Sequence, residues 1–207
     1  MEHPPTEIAA SDAAGLPSRT LDPKLGLKAG DRLVLRGPRM DFVLRPVATR
    51  SGVPRRREVV VHPGAVAILP VLDDGRIVLI RNRRHTVHEE LWEIPAGTLE
   101  MGEAPIVCAA RELAEETGYR AAVLEDFGWF YTSPGVLTEK MYVFVARGLT
   151  AVGQTLEDNE QIRVEVVTAA RAKEMILQNE IVDAKTIATV LKYCVSRKSC
   201  GDDERLD

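Results

Sequence analysis

The segment from Gly97 to Tyr119 constrains this chain more than any other. It reads Gly-Thr-Leu-Glu-Met-Gly-Glu, then seven residues, then Arg-Glu-Leu-Ala-Glu-Glu-Thr-Gly-Tyr. Its spacing predicts a helix from about Ala104 to Thr117, with Ile106, Ala109, Ala110 and Leu113 as one buried stripe. Gly118 is placed to end that helix as its C′ residue. Glu112 and Glu116 are four positions apart and Glu115 is three from Glu112, so all three share one helical face. Like charges at that spacing cost roughly 0.2–0.5 kcal/mol per pair. They also sit in the last turns, where the helix dipole favours cations. Local rules are broken without local gain, which is the mark of a functional site.

A hard cation would repair both defects, and magnesium prefers oxygen ligands such as carboxylates and substrate phosphates. Arg111 can grip a carboxylate bidentately, and Glu103, just before the helix, is its expected partner. The alternative is a solvated acidic helix face, with Arg111 in an ordinary i,i+4 pair with Glu115. The glycines at both ends and the Glu103–Arg111 spacing favour the site.

The rest of the chain reads as an α+β domain with a mixed sheet flanked by helices. Residues 1–30 lack sustained periodicity and read as a flexible tail, as do residues 199–207. Residues 31–63 hold β-patterned segments: Leu33–Leu35, Asp41–Val47 and Glu58–His62, the last two pairing across a turn at Ser51-Gly52-Val53-Pro54. Residues 64–198 form the main domain. In it, Ala65–Leu72 and Arg76–Arg81 flank Asp73-Asp74-Gly75, a hairpin signal. Trp92–Pro95 reads as a short strand. Further strands are expected at Ala121–Tyr131, Met141–Arg147 and Ile162–Val167, then helices at Ala169–Gln178 and Asp183–Arg197.

Residues 97–119 resemble the Nudix box, whose form is G-x5-E-x7-R-E-U-x-E-E-x-G-U. Gly97, Glu103, Arg111, Glu112, Glu115, Glu116 and Gly118 occupy the fixed positions, and Leu113 the first aliphatic one. Tyr119 is the only departure, at a packing position. The resemblance implies an α/β/α sandwich and hydrolysis of a nucleoside diphosphate linked to another group. It implies Mg²⁺ (or Mn²⁺) held by Glu112, Glu116, Glu115 and the Ala96 carbonyl, with Glu115 a further ligand or a base.

From about Asp31 to Val190 the chain is similar to the ADP-ribose pyrophosphatase subgroup. Four stretches carry this: Trp92–Gly97; Tyr131–Gly135, with Pro134 fifteen residues after Tyr119; Thr138-Glu139; and the acidic Glu157–Ile162. The similarity implies that ADP-ribose is cut to AMP and ribose 5-phosphate. Glu160 is the first choice for general base, with Glu139 and Glu115 behind it, and is also implied as a metal ligand. Arg84, Arg57, Pro134 and Gly135 are implied to meet the substrate, although Asn82-Arg83-Arg84 replaces the usual Gln-Tyr-Arg. Phe42 is the candidate to stack on the purine, with a core Phe as its plain alternative. A homodimer exchanging N-terminal strands is also implied. His62, His85 and His88 have no mutual metal spacing and read as structural or surface residues.

Composition sets the outer limits. A net charge of -4 gives no basic face for nucleic acid. No apolar run reaches the length of a membrane span, and Met1–Leu27 lacks the pattern of a secretory signal. Cys108, Cys194 and Cys200 suit neither a disulfide framework nor a zinc site and read as free thiols. A cytoplasmic enzyme is expected. The alternatives are a pyrophosphatase for nucleoside diphosphate sugars or dinucleotides, and a nucleotide-sensing domain without catalysis. The complete set of box carboxylates argues against the latter.

Overall fold

The structure is a computed structural model and describes residues 27–158 and 160–196. Of the tail expected at 1–30, residues 1–26 lie outside the described residues, as do the tail expected at 199–207 and Cys200. In chain order the elements are β1 (Arg32–Arg36), β2 (Asp41–Val47), β3 (Arg55–Val61), β4 (Ala65–Pro70), β5 (Ile77–Arg84), β6 (Glu89–Glu93), β7 (Ala96–Thr98), α1 (Pro105–Thr117), β8 (Tyr119–Tyr131), β9 (Lys140–Ala151), β10 (Ile162–Val167), α2 (Ala169–Leu177) and α3 (Ala184–Ser196).

Strand β4 is apolar and buried at every position. A strand reads that way when both faces of its sheet are covered. Side chains alternate between faces, and β4 divides accordingly. Val66 and Ile68 pack with Cys108, Ala109 and Leu113 of α1. Ala65, Ala67 and Leu69 pack with Ala172 and Met175 of α2 and with Val190 and Tyr193 of α3. The result is the α/β/α sandwich that the box implied. The central sheet runs β7-β4-β9-β8, with β4 and β9 parallel and the outer pairs antiparallel. A second antiparallel sheet runs β10-β5-β6, and β1-β2-β3 form a third.

Helix α1 lies where its sequence places it. It ends at Gly118, whose φ of 69° is left-handed and whose N–H donates to the Ala114 carbonyl. A Cβ there would also stand 2.8 Å from the Gln154 backbone nitrogen, so glycine is required twice over. The β2–β3 hairpin and the bounds of β2 and β10 also match expectation.

Three expectations fail for tertiary reasons. The turn at Asp73-Asp74-Gly75 forms, with the Gly75 N–H donating to the Leu72 carbonyl, but Val71 and Ile77 make only an isolated bridge. Beyond it β4 and β5 enter different sheets instead of a hairpin. Trp92–Pro95 is not one strand either: β6 ends at Glu93, and Ile94-Pro95 is the step into β7. Finally, Ile106 and Ala110 are exposed, and Cys108 and Thr117 are buried in their stead. The helix is rotated so that part of its acidic face turns inward.

Candidate active site

That rotation decides the character of the carboxylates. Glu116 is only 3% exposed, so the plain acidic surface helix is excluded. Its Oε2 accepts a 2.8 Å hydrogen bond from the Ala96 N–H, at the start of β7. Burial pushes its pKa up to about 8, and the neighbouring Glu112 and Glu160 add to the rise. The Ala96 hydrogen bond and the Arg84 charge oppose it. Glu112 is likewise raised by burial, against the pull of Arg111. An ideal Cβ on Gly97 would lie 1.8 Å from Glu112 Oε1. Gly97 is therefore needed to make room for a carboxylate.

Arg111 organises the rest. Its Nε and Nη2 donate to the two oxygens of Glu103 at 3.1 and 3.2 Å. Its Nη1 donates to Glu112 at 2.7 Å and to Glu115 at 3.0 Å. The expected Glu103 partner and the competing i,i+4 contact thus exist together. These bonds hold the Glu103 carboxyl below its usual pKa.

Glu112, Glu115, Glu116 and Glu160 line one cleft of about 750 Å³, together with Ala96 and Arg84. Among the described residues no three metal-binding side chains are already gathered as a ligand set. Glu112 and Glu115 turn to Arg111, and the Glu160 carboxylate accepts from the Glu157 N–H at 2.8 Å. The donor chemistry nevertheless fits a hard divalent cation. The groups are all oxygen donors, and Glu116, with the raised pKa of a buried acid, has no side-chain cation bonded to it.

Arg84 reaches the cleft from the end of β5, held by Glu93 through Nε at 2.7 Å and Nη2 at 2.5 Å. Other expected site residues lie elsewhere. Glu139 accepts from Thr132 Oγ1 at 2.6 Å and lies 3.4 Å from His62 Nε2, and it does not line the cleft. The Gly64 N–H donates to His62 Nδ1, which places the imidazole proton on Nε2, toward Glu139. Burial lowers the His62 pKa, against the pull of the Glu139 charge. Phe42 is half-buried on β2 opposite Val60, Arg57 is exposed on β3 opposite Arg45, and Pro134 and Gly135 are exposed. None of these four lines the cleft of the single chain.

Sequence reasoning missed two contributors. Glu93 stands inside the Trp92–Gly97 stretch, and a charge amid apolar residues was the available signal. Arg39, on the β1–β2 turn, lines the cleft and comes within 3.9 Å of Glu157; nothing local marked it. No helix of the described residues is long and apolar enough to cross a membrane.

Comparison with known proteins agrees with this geometry. The NUDIX domain family model matches residues 61–190. An ADP-ribose pyrophosphatase of Bacillus subtilis (strain 168) is 40% identical over 162 residues, covering 77% of this chain and 87% of that protein. A GDP-mannose pyrophosphatase of Cronobacter sakazakii is 36% identical over 163 residues, covering 70% and 84%. The crystal structure of an ADP compounds hydrolase shares the fold with a TM-score of 0.72 at 21% identity, covering 84% of this chain and 94% of that one. Family model, relatives, fold and carboxylate helix agree: the chain belongs to the Nudix hydrolases, a family that generally uses a divalent metal.

Proposed function

We propose that this protein hydrolyses the diphosphate of ADP-ribose to AMP and ribose 5-phosphate with Mg²⁺ (or Mn²⁺). The observation that carries the reading is the buried Glu116 beside the partly buried Glu112, in a cleft that also presents Arg84. Similarity to the B. subtilis ADP-ribose pyrophosphatase over most of both chains supports the substrate.

Glu112, Glu115, Glu116 and the Ala96 carbonyl would hold the cation. When bound, it supplies positive charge against the diphosphate and makes water more acidic. Arg84 binds the diphosphate and orients it. Arg111 keeps the helix carboxylates in place through Glu103. Glu160, released from the Glu157 N–H, takes a proton from the attacking water. The water oxygen bonds to one phosphorus, the P–O–P bridge breaks, and the bridging oxygen leaves with the other phosphate. Glu139, engaged with His62 and Thr132, stands behind Glu160 in this role.

The active form is a homodimer, and two observations support it. Leu33, Val34, Leu35 and Met40 of the N-terminal strands are exposed. Phe42, Arg57, Pro134 and Gly135, the expected substrate contacts, lie away from the cleft of their own chain and would be supplied by a second copy. A nucleoside diphosphate sugar is the second reading, favoured by the similarity to a GDP-mannose pyrophosphatase.

With Mg²⁺, ADP-ribose should give the highest kcat/KM in a panel with GDP-mannose, other nucleoside diphosphate sugars, NADH and diadenosine polyphosphates, and EDTA should abolish turnover. A preference for GDP-mannose would replace the first reading with the second. Glu160→Gln should lower kcat by roughly 10²–10⁴ without rescue by excess Mg²⁺; rates within twofold of wild type would move the base to Glu139 or Glu115. Light scattering should give about twice the 22.8 kDa chain mass, and a fully active monomer would refute the shared site.

A further inference from the structure

Behind Arg84 lies a group of charges that the reaction as described leaves unused. Glu93, at the end of β6, is 0% exposed. Burying a carboxylate is costly unless it is paired and hydrogen-bonded. Arg84 meets that need with two bonds, yet the same Oε2 also accepts from Lys185 Nζ at 2.5 Å. Lys185 stands in the first turn of α3, almost fully buried, with Asp183 at 3.1 Å. Asp183 is itself engaged by the Thr186 N–H and hydroxyl, and the Ile94 N–H donates to Thr186 Oγ1. The start of α3 is thereby fastened to the step between β6 and β7, beside the cleft.

The second cation has a consequence for Arg84. Lys185 Nζ and Arg84 Nη2 meet on the same Glu93 oxygen, so Lys185 fixes where that carboxylate stands. Nε and one Nη of Arg84 are thereby fixed in direction. The Arg84 side chain is 40% exposed and lines the cleft. Its charge is felt by Glu116, so it sits within electrostatic reach of the carboxylate cluster.

We propose that Lys185, acting through Glu93, is a positioning residue that orients Arg84 for the substrate diphosphate. This rests on the reading of Arg84 as a diphosphate-binding residue. The contact joins positions 92 residues apart in sequence, and Lys185 itself does not line the cleft.

The test is steady-state kinetics with Mg²⁺ and the best substrate of the panel, on wild type, Arg84→Ala, Lys185→Gln and the double variant. Lys185→Gln should raise KM about tenfold with kcat within about threefold, because uniform binding is lost. In the Arg84→Ala background it should raise KM no further, since the two residues act as one unit. Glu93→Gln, which keeps hydrogen-bonding capacity, should raise KM in the same way and only when Arg84 is present. An unchanged KM in Lys185→Gln and Glu93→Gln, beside a raised KM in Arg84→Ala, would overturn the proposal and leave the reading of Arg84 standing. Equal KM increases with and without Arg84 would reduce Lys185 to a structural residue and also overturn it. An unchanged KM in Arg84→Ala would reject the reading of Arg84 itself, and the proposal with it.

Discussion

Glu116 is a carboxylate held inside the protein with one backbone N–H as its hydrogen-bond donor and other carboxylates nearby. Desolvation and like charge both oppose its ionisation. Much of the surrounding structure serves to keep it there. Leu113, Ala109 and Cys108 lock the rotation of α1 against β4, so the acidic residues that follow cannot turn back to solvent. Gly118 lets the chain reverse immediately after the helix. Gly97 leaves a space at β7 that a side chain would fill, and Glu112 occupies it.

Arg111 separates the cluster into two kinds of carboxylate. Glu103, Glu112 and Glu115 share its guanidinium, whereas Glu116 does not. Glu112 and Glu115 satisfy Arg111, and both line one cleft with Glu116. Glu103 also accepts from Arg111 through both of its oxygens. Burying Glu116 without such a cation costs stability, a cost common at functional sites.

What the sequence revealed followed from local chemistry. The bounds of α1, its glycine stop and the Glu103–Arg111 pair are readable because each depends on residues within one short segment. The hairpin expected around Asp73-Asp74-Gly75 illustrates the opposite case. Its turn is local and forms, but β5 pairs with β6 and with the distant β10, while β4 pairs with β7 and the distant β9, so strands outside the turn decide the partners. Ile106 and Ala110 failed because an apolar stripe assumes that burial favours apolar groups; in α1 the inward face also carries Glu112 and Glu116. Phe42, Arg57, Pro134 and Gly135 do not line the cleft of a single chain, which no signal in their own segments foretold. The Glu93–Lys185 contact has no local signature at all.

Burial of the Glu116 carboxylate destabilises the metal-free fold, and a divalent cation bound beside it should reverse this. Glu116 has a folded pKa of about 8 against 4.5 for an unperturbed carboxyl. Between those values the unfolded chain ionises and the folded one does not, so stability is lost as pH rises from 4.5 through 8. Thermal unfolding at pH 8, with and without millimolar Mg²⁺, tests the claim on wild type and Glu116→Gln. Metal-free Glu116→Gln should melt above metal-free wild type, and Mg²⁺ should raise the melting temperature of wild type only, by binding the native state. A variant that melts below wild type, with an equal Mg²⁺-induced rise in both proteins, would contradict it.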